Sequence, residues 1–88
     1  MPWVYKFEER ALKELKKIDR QAQKEIIAYL DNRVAGYGDP RRFGKALRTN
    51  LAGLWRYRVG AYRIVCQLQG GQLVVLVVSV GHRKNVYD

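Results

Sequence analysis

The 88 residues carry 17 Lys and Arg against 8 Asp and Glu, a net charge of +9, with 48% hydrophobic residues and a single cysteine. Residues 1–88 read as one small domain with a modest core; one cysteine excludes an intramolecular disulfide framework and fits a reducing cytosol, and Cys66 with His82 offers too few soft ligands for a zinc site. The longest apolar run, Leu73 to Val80, falls far short of the roughly 20 residues that span a bilayer, and nothing resembles a signal peptide.

Trp3, Tyr5 and Phe7 alternate with Val4 and Lys6, which predicts a short first strand with an aromatic face. At Glu8 the period changes. Ala11, Leu12, Leu15 and Ile18 recur at helical spacing, and Glu8 and Glu9 stand where a helix dipole favours acid. Asp19 is placed to cap a second helix running to about Ala35, with Ile26, Ile27, Leu30 and Val34 as its buried stripe and Gly36 as its stop. The mixed charges on both helices read as a solvated surface. Residues 36–53, GYGDPRRFGKALRTNLAG, hold no sustained period; so long a segment in a small domain is expected to pack in part as a turn or short strand, or to serve a site. It contains Arg41, Arg42, Lys45 and Arg48. Strands are then expected at 54–59 and 62–69, followed by a Gly70-Gly71 turn and an apolar strand from Gln72 to about His82, buried on both sides. The fold class is α+β: an N-terminal strand, a helical hairpin, then a three-stranded antiparallel sheet with the helices packed on one sheet face.

Within that sheet, RYRVGAYRIV at residues 56–65 is the most informative stretch. A two-residue Gly60-Ala61 turn of the II′ kind pairs Val59 with Tyr62 and Arg58 with Arg63, and the period of two puts Arg56 on the same face. Like charges directly opposite one another destabilise a ladder by roughly 0.2–1 kcal/mol, so an anion is expected among these side chains. Trp55, Tyr57 and Tyr62 fall on the other side, toward the helices. Residues 1–35 hold eight basic and six acidic side chains, whereas residues 36–88 hold nine and two. The excess in the second half predicts a polyanionic partner, nucleic acid ahead of an acidic protein or a membrane surface.

Taken together, KALRTNLAGLWRYRVGAYRIV and the ending VVLVVSVGHRKNVY resemble the RelE branch of the RelE/ParE superfamily of toxins from bacterial and archaeal toxin-antitoxin pairs. The resemblance covers essentially the whole chain. It implies a cytoplasmic, ribosome-dependent endoribonuclease that cuts messenger RNA in the decoding site by metal-free attack of the 2′-hydroxyl, thereby inhibiting translation. It also implies no cofactor, no membrane association, and an acidic RelB-like antitoxin wrapped around the toxin in a hetero-oligomer. Carried over position by position, the catalytic residues are Arg56 and Arg58 on the first hairpin strand, Arg63 opposite, Arg83 after the apolar strand and Tyr87 in the tail. Arg41, Arg42, Lys45, Arg48 and Lys84 are expected to contact RNA or the ribosome. A C-terminal helix present in some relatives is not expected here.

The best-known family members carry lysine at the positions of Arg56 and Arg58. Arginine grips phosphate bidentately but yields its proton poorly. Proton transfer is therefore expected of Tyr87, whose free pKa near 10 has to be drawn down by cations such as Arg63 and Arg83, or of His82, a residue type suited to acid or base work. Alternation through Gly81 sends His82 and Arg83 to opposite faces, so one of them reaches the pocket, and the family pattern selects Arg83. Phe43 suits base stacking and packing equally. Two rival readings are a ParE-like poison of DNA gyrase and a non-catalytic RNA- or ribosome-binding module; the arginine cluster with a tail tyrosine favours the nuclease.

Overall fold

The computed structural model describes residues 1–47 and 53–82; Arg48, Arg83, Lys84 and Tyr87 lie outside the described residues. Strand β1 (Val4–Phe7) leads into helices α1 (Glu9–Lys17) and α2 (Arg20–Tyr29), and the linker that follows contributes a short strand, β2 (Lys45–Ala46). Strands β3 (Leu54–Val59), β4 (Tyr62–Gln69) and β5 (Val74–His82) complete a sheet of order β1-β5-β4-β3-β2. β1 runs parallel to β5, and all other neighbours are antiparallel. The α+β class stands, and the three expected antiparallel strands form the centre of a five-stranded mixed sheet.

The local signals act as their chemistry dictates. The Asp19 carboxylate accepts from the Ala22 N–H at 3.1 Å, satisfying one of the orphan donors at the start of α2. Asp19→Ala is therefore expected to lower stability by about 1 kcal/mol, readable as a smaller urea midpoint at unchanged slope. Beyond Tyr29 the helix widens into a π turn over Leu30–Val34, where the Ala35 N–H donates to Leu30 O at 2.8 Å. Gly36 then takes a left-handed φ of 114° and ends the segment. Its backbone bonds reciprocally with Trp3, at 2.6 and 2.9 Å, which ties the helix exit to the start of β1.

Ala11, Leu15, Ile26, Leu30 and Val34 from the helical layer meet Tyr57, Val59, Ile64, Cys66, Val75, Val77 and Val80 from one sheet face, and together they form the buried core. Cys66 is fully enclosed there, and burial pushes its thiol pKa up, so it behaves as a small hydrophobe. β5 meets the expectation of two buried faces in part: Val75, Val77 and Val80 are buried on the helix side and Val74 on the other, but Leu76 and Val78 are half-buried, because the helices cover one side only. The turn into β5 is also longer than Gly70-Gly71, closed by bonds from Gln72 N to Gln69 O and from Leu73 N to Gly70 O.

A bulge interrupts β5. Val65 pairs with Ser79 and Cys66 with Val77, so Val78 has no partner and the alternation changes phase. After it, Val80 and His82 share the helix side with Ile64 and Tyr62. Past the end of β1 the outer edge of β5 is covered by α1, where the Glu14 carboxylate accepts from the Val80 N–H at 2.8 Å. Among the described residues no helix is long and apolar enough to cross a membrane.

Candidate functional site

The hairpin turn takes the expected form. Gly60 has a φ of 58°, Ala61 does not enter the positive-φ region, and Arg58 stands directly across from Arg63 with Val59 across from Tyr62. Residues opposite one another share a face. Lys45 opposes Arg56, so cationic side chains from β2, β3 and β4 lie on one side of the sheet, the side away from the helices. Arg58 is exposed, whereas Arg56 and Arg63 are half-buried. The next residue across from Arg63 is Gly81, which brings no side chain to the face. No Asp or Glu occurs in β2, β3, β4 or β5.

At the β3 edge of this face the linker and the end of α2 form a cleft. Tyr57 is fully buried and its hydroxyl donates to Pro40 O at 2.7 Å, while the Trp55 indole N–H donates to Phe43 O at 2.6 Å. These two bonds hold residues 40–43 against β3. Gly44 has a φ of 75°, and a Cβ there would collide with Arg56 O and lie 2.8 Å from Trp55 Nε1, so only glycine lets the linker approach this closely. The resulting cleft, about 280 Å³, is lined by Tyr29, Gly44, Lys45, Arg56 and Arg58. Burial raises the pKa of the Tyr29 hydroxyl, with the nearby Arg33 opposing the shift; at neutral pH that group is a hydrogen-bond donor and not a base.

The other sequence-predicted residues separate into groups. Arg41 pairs with Asp39 at 3.5 Å on an exposed turn, and Arg42 Nε donates to Asp39 O at 3.2 Å. The Phe43 ring lies beneath two guanidinium groups, Arg33 at 5.2 Å and Arg42 at 5.4 Å from its centroid. His82 packs edge-to-face on Tyr62 with centroids 5.8 Å apart, on the face opposite the arginines. Tyr29 and Arg33 were not expected at the site, since the charges of the second helix read as solvated. No local signal marks them, since α2 ends at Tyr29 and Arg33 lies in the π turn that follows; Arg33 lies 5.7 Å from the Tyr29 centroid.

Comparison with known proteins places this geometry among relatives. A family model described as the ParE toxin of type II toxin-antitoxin system, parDE, matches residues 5–87. Toxin RelG of Mycobacterium tuberculosis is 29% identical over 91 residues, covering 99% of this chain and 98% of that protein. A chain of the toxin-antitoxin complex RelBE2 from Mycobacterium tuberculosis superposes with a TM-score of 0.83 at 26% identity, over 97% of this chain and 95% of that one. The isolated RelE toxin of E. coli superposes with a TM-score of 0.66 at 28% identity, over 91% and 83% respectively.

Proposed function

We propose that this chain, which belongs to the ParE toxin family of type II toxin-antitoxin systems and with it to the RelE/ParE superfamily, is a ribosome-dependent endoribonuclease that cuts messenger RNA in the decoding site. The observation that carries the reading is the set of cations on one open sheet face, with Arg58 directly opposite Arg63 and Lys45 opposite Arg56. Attack by an adjacent 2′-hydroxyl requires removal of its proton, stabilisation of a dianionic phosphorane, and protonation of the leaving 5′-oxygen. Arginine is matched to the second task, since a planar fork of donors meets phosphate oxygens bidentately and keeps its charge at any working pH. Arg56, Arg58 and Arg63 take that role, with Arg83 and Tyr87 completing the site from the tail. Tyr87 is the proton-transfer candidate; the packing of His82 on Tyr62, away from the arginine face, argues against the histidine.

The working partners in this reading are the ribosome and messenger in the cytoplasm, and an acidic RelB-like antitoxin that covers the basic face in a hetero-oligomer. The relatives solved as RelBE complexes support the last. The name of the matched family favours a second reading, a poison of DNA gyrase. One experiment separates them: purified protein is incubated with programmed ribosomes and new messenger ends are mapped. Ends with 5′-hydroxyls inside codons support the nuclease, whereas intact messenger together with trapped gyrase-DNA cleavage complexes would replace it with the gyrase reading. RNA or ribosome binding is further expected to weaken steeply with salt, by a log-log slope of about −0.7 per phosphate neutralised on a single strand. A titration of affinity against salt checks this, and a flat dependence contradicts it.

A further inference from the structure

The arginine cleft does not end at Arg58. Tyr29, one of its walls, also carries the Arg33 guanidinium over its ring at 5.7 Å, and that same guanidinium lies 5.2 Å from the centroid of Phe43. Arg42 reaches the same phenylalanine at 5.4 Å. Two like charges are thus gathered on one ring. Arg42 is fixed from below as well, by its bond to Asp39 O and by Gly38, where a Cβ would collide with the guanidinium. The nearby carboxylates are engaged elsewhere, Asp39 with Arg41 and Asp31 with the Tyr5 hydroxyl at 2.6 Å. Among the described residues no carboxylate lies within ion-pair distance of Arg33 or Arg42.

A guanidinium held over an aromatic ring is attracted by the ring's π face, and that attraction uses none of its N–H donors. Phe43 thus draws two exposed guanidinium groups to one place without taking up their N–H donors, so the charges are already gathered where an anion would bind. Arg33 lies in the π turn over Leu30–Val34, and the bonds from Tyr57 and Trp55 to the linker hold the segment of Phe43 against β3.

We propose that Arg33 and Arg42, gathered by Phe43, form a second phosphate subsite that grips the messenger backbone at a phosphate neighbouring the one held by Arg56, Arg58 and Arg63. The inference rests on the nuclease reading for the identity of the strand, but its test does not require cleavage. The probes are non-cleavable 2′-O-methyl oligonucleotides, a dinucleotide with one phosphate linkage and a tetranucleotide with three, titrated against the full chain over a range of salt. In the wild type the tetranucleotide is expected to show a log-log salt slope steeper than the dinucleotide by at least about 0.7. In Arg33→Gln/Arg42→Gln, which removes both charges and keeps polar side chains, about 0.7 of that increment should vanish and tetranucleotide binding fall about fivefold near 0.1 M salt, the worth of one displaced counterion. Dinucleotide binding and the melting temperature should stay as in the wild type.

Absence of the increment in the wild type, or its full retention in the double variant, overturns the subsite. Vacant ribosomes, with no messenger in the decoding site, form a second arm. The double variant is expected to bind them as the wild type does, and a loss there assigns the pair to ribosomal RNA and overturns the messenger assignment. The nuclease reading stands or falls separately, on messenger cleavage by the wild type: a salt-slope increment without cleavage sinks that reading and leaves an RNA subsite, and cleavage without an increment does the reverse.

Discussion

Arg63→Ala is expected to fold as well as the wild type, within about 1 kcal/mol and with any gain on the side of the variant, while single-turnover cleavage on programmed ribosomes falls by about 10² to 10³. Arg63 sits in β4, the middle strand of the five, with Arg58 directly across on one side and Gly81 on the other. In the free protein its charge stands directly opposite that of Arg58, and the repulsion within that pair is lost with it. In the transition state the same fork would meet a developing dianion, and loss of such a donor raises the barrier by about 2.7–4 kcal/mol. A purely structural arginine would give the opposite pair of results: a lower melting temperature with cleavage per folded molecule almost unchanged. Thermal unfolding measured beside the cleavage rate distinguishes the two.

Free messenger is expected to be cut far more slowly than messenger held on the ribosome. The described part of the site offers donors and charge but no tuned base: Tyr29 is held protonated by burial, and His82 is turned to the other face. A site so built has to gain its rate from geometry, with the ribosome holding the 2′-oxygen in line with the leaving group. Orientation of this kind can supply roughly 7–11 kcal/mol of the barrier. The check is cleavage of the same messenger, naked and ribosome-bound, at equal concentration; comparable rates would contradict the proposal that the ribosome completes the site.

Much of this was legible in the sequence because it depends on local chemistry. The Gly60-Ala61 turn sets its own register, so the pairing of Arg58 with Arg63 follows from the two turn residues and the period of two. Asp19 announced its helix in the same way. What could not be read was decided by partners distant in the chain. Two residues of a structureless-looking linker become β2 only because β3 has an open edge to receive them. The bulge at Val78 leaves no mark in a run of valines, yet it sets the face of every residue of β5 that follows. Arg33 looked like an ordinary solvated charge until the π turn and the folded-back linker placed Phe43 beneath it.

The pairing of β1 with β5 joins residues 4–7 to residues 74–77, nearly the full length of the chain apart. Synthesis runs from the N-terminus, so the first strand leaves the ribosome long before the strand that completes it exists. β5 also separates β1 from β4, and no earlier portion of the chain can build the central strand order. Such non-local closure makes the finished sheet a late and cooperative event. While the chain is still attached to the ribosome producing it, its arginine face lacks the strand that joins it to β1, and on the proposed nuclease reading the site is complete only after synthesis ends.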